Sequence, residues 1–410
     1  MKRKNNQHLI HLPSGLRLVC VQAPGAGVEY FGVTVGAGSR DDPDGLFGLA
    51  HFVEHTIFKG TSRRRSSHII NRMESCGGEL NAYTSKQSTT VYTVSPTGNL
   101  ARAVELVADL VMNSSFPQAE LDKEREVVAD EINSYLDIPS EAVFDDFDDL
   151  LFAGSSLGHN ILGNRAALDR FDSDICRNYL DRLYVAPNMV AFYSGPQSPS
   201  RVEAMVGRRF SDLSSRPAVR PAQTLPLAPS FAESRDLAIH QAHTVVGARV
   251  CDMFSDRRFA LSLLVNILGG PGMNSLLNVE LREKRGLVYT VDASLSLMPD
   301  TGVFTIYFGC DASDTPLCRR LIDRAITSLA DTPMTRRRFD AAVRQYVGQM
   351  TVAADNRENT VMSLARQALY RNHLIPSELI VDRLRSLTPA DLRQAAETIR
   401  PHLLSSLTFR

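Results

Sequence analysis

The stretch "LAHFVEHTIFKGT", Leu49–Thr61, decides how the rest of the chain is read. It is mostly apolar, yet His51 and His55 sit four apart in it and Glu54 directly precedes the second histidine. Residues four apart share one face of an α-helix, so the two imidazoles can present to one point. Asp41, Asp42 and Asp44 lie just upstream, where a helix dipole favours negative charge. Lys59 and Gly60 follow, and they read as a last-turn cation and a terminating glycine. A pair of solvated histidines on an amphipathic helix is the plainer reading, and the apolar flanks argue against it.

Two helical imidazoles and a carboxylate suit zinc, which takes three protein ligands in catalytic sites and leaves a fourth position for water. Glu54 lies beside that position, as a base that takes the water's proton and hands it to a leaving amine. The order H-x-x-E-H reverses H-E-x-x-H and is the inverzincin signature. The third ligand must come from elsewhere. "QAELDKEREVVADEINSYLD" (Gln118–Asp137) reads as a helix started by Pro117. Leu121, Glu124, Val128, Glu131 and Tyr135 form one stripe on it at 3–4 spacing. Two carboxylates interrupt that core-like face, and a buried carboxylate needs a metal or a donor. One of Glu124 and Glu131 can bind zinc while the other orients a ligand histidine through its second nitrogen. His159, in "SLGHNILG", is a competing ligand candidate that reads better as a loop or packing histidine, and His68, His240, His243 and His373 have no partner at ligand spacing.

The whole chain sets bounds on these readings. Its 410 residues are 43% hydrophobic, too long for one ordinary core, so two domains are expected. Lys+Arg total 45 against Asp+Glu 46, a net charge of -1, which leaves no electrostatic footprint for nucleic acid or a membrane surface. The basic amino terminus has no apolar segment after it, and no run of about 18 apolar residues exists. Six scattered cysteines without a C-x-x-C pair fit a reducing compartment. The expected location is the cytoplasm.

β-Rich runs such as "LRLVCVQ" (Leu16–Gln22) and "VEYFGVTVGAG" (Val28–Gly38) alternate with long helical patterns such as Asn99–Asn113, so the class is α+β. A stretch with four prolines, Ser211–Ser234, reads as a linker. It divides the chain into a zinc-binding catalytic domain, 1–210, and a second domain, 235–410. The halves echo each other: Tyr30–Gly60 and Gln241–Gly270 each run strand, acidic turn, apolar helix and glycine. The second copy carries Ala260–Leu268 where the first has its histidines, which points to a duplicated domain with one chemically active copy.

Three motifs in order, "LAHFVEHTIFKGT", "EREVVADEI" (Glu124–Ile132) and "LREKRGLVYTV" (Leu281–Val291), resemble the pitrilysin/insulinase-type zinc metallopeptidases. The likeness is greatest to the short bacterial members related to mitochondrial processing peptidase, and it covers essentially the whole chain. The resemblance implies His51, His55 and Glu131 as ligands of one Zn2+ per chain, Glu54 as general base and Glu124 as the supporting acid. It implies Arg282 and Tyr289 as catalytic donors to the oxyanion of amide hydrolysis. Asn81, Ala82 and Tyr83, in "GGELNAYTSKQSTTVYTV", match the family's substrate-binding edge strand, to which a peptide adds through main-chain hydrogen bonds. Val53, Thr56 and Ile57 depart from the family's usual residues at positions off the ligands.

The same resemblance implies the architecture: two similar, duplicated α/β sandwich domains, each a mostly antiparallel sheet packed with helices. It further implies a zinc endopeptidase that hydrolyses unfolded peptides inside a dimeric chamber, with Glu54 acting on the zinc's water. Because one chain carries both the zinc motif and the Arg282/Tyr289 pair, a homodimer is expected. The alternatives are a subunit of a heterodimeric processing-type peptidase and a non-catalytic structural relative.

Overall fold

The computed structural model describes residues 6–220, 224–226 and 229–410. The start of the chain and parts of the expected linker, 221–223 and 227–228, lie outside the described residues. The β-branched runs and the helical stripes fold into two compact units. The first comprises 1–134, 159–224 and 354–374, and the second 135–158, 225–353 and 375–410. Neither unit is a continuous stretch of sequence.

The first unit is built on six strands, β1 (Gln7–His11), β2 (Arg17–Gln22), β3 (Val28–Val35), β4 (Glu79–Thr84), β5 (Thr89–Pro96) and β6 (Met189–Gly195). Their order across the sheet is β1-β2-β6-β3-β5-β4, and only the β2/β6 pair is parallel. β4 is therefore an edge, paired to β5 alone with Ala82 opposite Val91. Leu18, Phe31 and Val33 of one sheet face join Val104 and Leu110 of the helix Leu100–Asn113, and Phe52 and Val53 of the helix Leu49–Thr56, in one core. Val19, Val190 and Phe192 on the other face are covered by Val361, Leu364, Ala365 and Ala368 of the helix Arg357–Arg371. Arg17 fastens the end of that helix by donating to the carbonyls of Ala368 (2.7 Å) and Leu369 (3.0 Å).

The second unit repeats the scheme with β7 (Ala232–Arg235), β8 (Ala242–Val250), β9 (Val288–Leu297), β10 (Gly302–Cys310) and β11 (Ser405–Phe409) in the order β7-β11-β8-β10-β9. Only the β11/β7 pair is parallel. One face packs on Leu261, Leu264 and Leu268 of the helix Arg257–Gly269. The other packs Val245, Leu407 and Phe409 against Val143 and Phe147 of the helix Pro139–Leu151. At the centre of β8 a side chain is not tolerated: a Cβ on Gly247 would lie 2.3 Å from the Phe304 carbonyl and 3.1 Å from the Phe147 ring.

The α+β class and the duplicated, mostly antiparallel sandwich expected from the sequence are those of the fold. Two helices cross the chain-order division at 211–234. Pro139–Leu151, early in the chain, belongs to the second unit, and Arg357–Arg371, late in the chain, to the first. Among the described residues no helix is long and apolar enough to cross a membrane, and all six cysteines are free thiols.

Candidate metal centre

The histidine helix runs Leu49–Thr56. Its N-cap, Gly48, has φ 95°, and a Cβ there would lie 2.5 Å from the Leu162 carbonyl, so the chain can enter the helix only through glycine. Of the three upstream acids, Asp42 serves the helix end. Its buried carboxylate accepts the N–H groups of Gly48 (2.7 Å) and Ala50 (2.8 Å), two of the donors a helix start leaves unpaired. At the other end the helix stops at Thr56, earlier than Lys59 and Gly60 suggest. Lys59 is drawn instead to the Glu124 carboxylate, its Nζ 2.5 Å from Oε2.

His51 and His55 project from one face, with ring centroids 4.5 Å apart. The helix Gln118–Leu136 brings Glu131 against both: its Oε2 lies 3.7 Å from His51 Nε2 and 3.3 Å from His55 Nε2. One donor atom from each of the three residues lies within 4.8 Å of the others. Two ligand atoms bound tetrahedrally at about 2.1 Å from one zinc sit about 3.4 Å apart. The observed separations bracket that value, so these residues fit a zinc ion.

Protonation suits the same role. Burial, with His55 alongside, pushes His51 down to about 3, so its imidazole is neutral with a free lone pair across the working pH range. Burial would also lower His55, but the hydrogen bond to Glu124 and the charges of Glu54, Glu131 and Glu124 raise it overall. His55 Nδ1 lies 3.0 Å from Glu124 Oε1 and donates to it, so in the neutral ring Nε2 is the lone-pair nitrogen facing Glu131. Glu124 is buried, which alone would raise its carboxyl, but His55 and Lys59 hold it below the usual range. His51 Nδ1 is buried without a hydrogen-bond partner among the described residues, so no second-nitrogen contact of the kind Glu124 gives His55 orients that ring.

Glu54 lies half-buried beside the cluster, and burial lifts its carboxyl above the ordinary range. The hydroxyl and backbone N–H of Thr84, the last residue of β4, both donate to it and limit the rise. Asn81, Ala82 and Tyr83 precede Thr84 on the same edge strand. The Tyr83 ring packs edge-on to Tyr92 and its hydroxyl lies 3.8 Å from Met362 Sδ, so its side chain is engaged within the unit. His159 is buried and stacked on Phe47 at 4.2 Å, a packing histidine.

Arg282 and Tyr289 belong to the second unit. Arg282 is exposed on a π-helical turn, Asn278–Glu283, and makes no ion pair among the described residues. Tyr289 is 65% exposed on the edge strand β9, its hydroxyl 3.3 Å from Asp311 Oδ1. A cavity of about 570 Å³ in the second unit is lined by Cys251, Arg257, Arg383 and Asp391 among others, and by none of His51, Glu54, His55, Glu131, Arg282 or Tyr289. Sequence reasoning missed Thr84 and the pairing of Lys59. A lone threonine in a strand carries no signal, whereas a lysine four residues after a ligand histidine on a helical turn does.

Residues 17–165 match the model of the insulinase family, peptidase family M16, and residues 170–346 match that of the peptidase M16 inactive domain. The chain is 29% identical to an uncharacterized zinc protease of Streptomyces coelicolor, over 96% of this chain and 87% of that one. It is 31% identical to uncharacterized zinc proteases of Mycobacterium tuberculosis (96% and 90% covered) and Bacillus subtilis (77% and 76%). Two solved structures share the fold at TM-scores of 0.91 and 19% identity. One is a peptidase M16 inactive domain from Pseudomonas fluorescens (98% and 97% covered) and the other a protease from Helicobacter pylori (98% and 99%). With both halves matched in order and a relative 31% identical over 96% of this chain and 90% of its own length, the chain belongs to the insulinase-type peptidase family M16.

Proposed function

We propose that the chain is a zinc-dependent endopeptidase that hydrolyses unfolded peptides. The observation that carries this reading is the convergence of His51, His55 and Glu131 at ligand separations, with Glu54 beside them. That relatives along the whole chain are named zinc proteases supports it. One zinc per chain would be held by these three residues, where it supplies Lewis acidity to the attacking water and the scissile carbonyl.

The remaining work falls to the chain's own groups. An extended peptide adds to the free edge of β4 beside Asn81, Ala82 and Tyr83, through main-chain hydrogen bonds that demand little sequence. A folded protein offers no free strand to such an edge. Glu54, a stronger base for its burial and held by Thr84, takes a proton from the water and returns it to the departing amine. Arg282 and Tyr289 supply the donors for the oxyanion. The working form is a homodimer enclosing a chamber, in which each subunit's pair serves the other's zinc.

The test is cleavage of a quenched fluorescent peptide library by the zinc-loaded protein, wild type against Glu54→Gln. The amide keeps the side chain's shape and cannot accept the proton. Zinc content should be retained and hydrolysis should fall by roughly 10²–10⁴-fold. Near wild-type cleavage by Glu54→Gln would remove Glu54 as the base, and a wild type that cleaves nothing would end the peptidase reading.

A further inference from the structure

Two glutamates, not one, reach His55. Glu124 and Glu131 are two helical turns apart on one face of Gln118–Leu136, and their carboxylates bracket the imidazole. Glu124 Oε1 is 3.0 Å from Nδ1, and Glu131 Oε2 is 3.3 Å from Nε2. Spacing on the helix does not separate their roles, since either carboxylate is a competent zinc ligand. What differs is the company each keeps. Lys59 Nζ lies 2.5 Å from Glu124 Oε2, whereas among the described residues the ion-pair partners of Glu131 are the two histidines. Lys59 is itself largely covered, its side chain 27% exposed, and Glu124's is 9% exposed, so this is an enclosed pair rather than a solvated surface contact.

We propose that Lys59 is a positioning residue that assigns the two glutamates their parts. With Oε2 taken by the ammonium and Oε1 by the His55 N–H, Glu124 has no oxygen free to turn toward the metal. Its fixed carboxylate then holds the His55 proton on Nδ1 and directs the Nε2 lone pair to the ion. Glu131, with no lysine or arginine paired to it among the described residues, keeps its oxygens for the metal. The lysine thus acts through Glu124 and His55, two groups removed from the zinc. The chain geometry that permits this is the early stop of the helix at Thr56, after which a turn (Lys59 N–H to Thr56 carbonyl, 3.0 Å) swings the side chain under Gln118–Leu136.

The inference rests on the reading of the cluster as a zinc site, and the experiment separates the two. Zinc affinity of the folded protein is measured by competition with a chromophoric chelator, so no peptidase activity is needed. Lys59→Met should bind zinc roughly 10-fold more weakly, the low end of what loss of a ligand-orienting group costs. Lys59→Arg, which restores a cation, should recover most of that loss. Adding Lys59→Met to Glu124→Gln should change nothing further, because the lysine works only through that carboxylate. If Lys59→Met fails to fold, Lys59→Gln carries the same comparison. A folded Lys59 variant with wild-type zinc affinity and only a lowered Tm would overturn the proposal, as would additive losses in the double variant. A wild type that binds no zinc would instead remove the metal site, and this inference with it.

Discussion

Acid should destabilise the metal-free protein in part through His51. In the unfolded chain its imidazole titrates at its ordinary value of 6.5, and in the fold burial and the neighbouring His55 take it to about 3. For a base with a depressed folded value, the unfolded state binds the extra proton, so stability falls as the pH drops below 6.5 and stops falling near 3. Between pH 7 and pH 5 the two titrations diverge by about 1.4 pK units, which is about 2 kcal/mol. His55 runs the other way. Its raised folded value adds stability that is complete below 6.5 and is lost as the pH rises through that folded value. Other groups titrate in the same window, so the measurement is a difference: urea unfolding of chelator-treated wild type and His51→Gln at both pH values, followed by circular dichroism. The wild type should lose about 2 kcal/mol more than the variant on going from pH 7 to pH 5. Curves that shift in parallel, within about 0.5 kcal/mol, would refute the claim that His51 is held neutral by its surroundings.

Glu131→Gln should abolish stoichiometric zinc by mass spectrometry, while Glu124→Gln should weaken binding by roughly 10–100-fold, so equal losses would contradict their separate parts. Thr84→Val removes the hydroxyl donated to Glu54. It should lower kcat about 10-fold with KM and zinc content unchanged, and Thr84→Ser should restore the rate; a loss confined to KM would count against a hold on the base. Co-expressing Glu54→Gln with Tyr289→Phe chains tests the shared sites. Half of randomly formed dimers are mixed, each with one intact site, so recovery should approach ~25% of wild type, and none should return if each pair serves its own zinc.

The metal cluster was legible because its residues break a pattern: titratable groups at i and i+4 stand where an apolar helix needs leucines. The Glu124/Glu131 stripe was legible for the same reason, but its division of labour was not, since both lie on one face and only the position of Lys59 tells them apart. The sheets followed from β-branched runs, with β3 ending at Val35, three residues short of the run's glycine. Which sheet a helix covers was hidden. Pro139–Leu151 and Arg357–Arg371 each show an ordinary apolar stripe, and a stripe states that a partner exists without naming it. Thr84 was hidden too, because a single hydroxyl at a strand's end looks the same whether it meets solvent or a catalytic carboxylate.

The ownership of those two helices bears on how the molecule comes apart. The chain passes between the units at 134/135, 158/159, 224/225, 353/354 and 374/375, so the proline-rich stretch is one of several tethers. A protease that nicks that stretch releases neither unit. The amino-terminal piece lacks the helix that shields Val19, Val190 and Phe192, and the carboxy-terminal piece lacks the one that shields Val245, Leu407 and Phe409. Each piece on its own is an unfinished sandwich with a greasy face open to water. The two halves of this chain therefore are not two separable modules: a nicked molecule is expected to stay together as a single particle, and either half made alone to be insoluble.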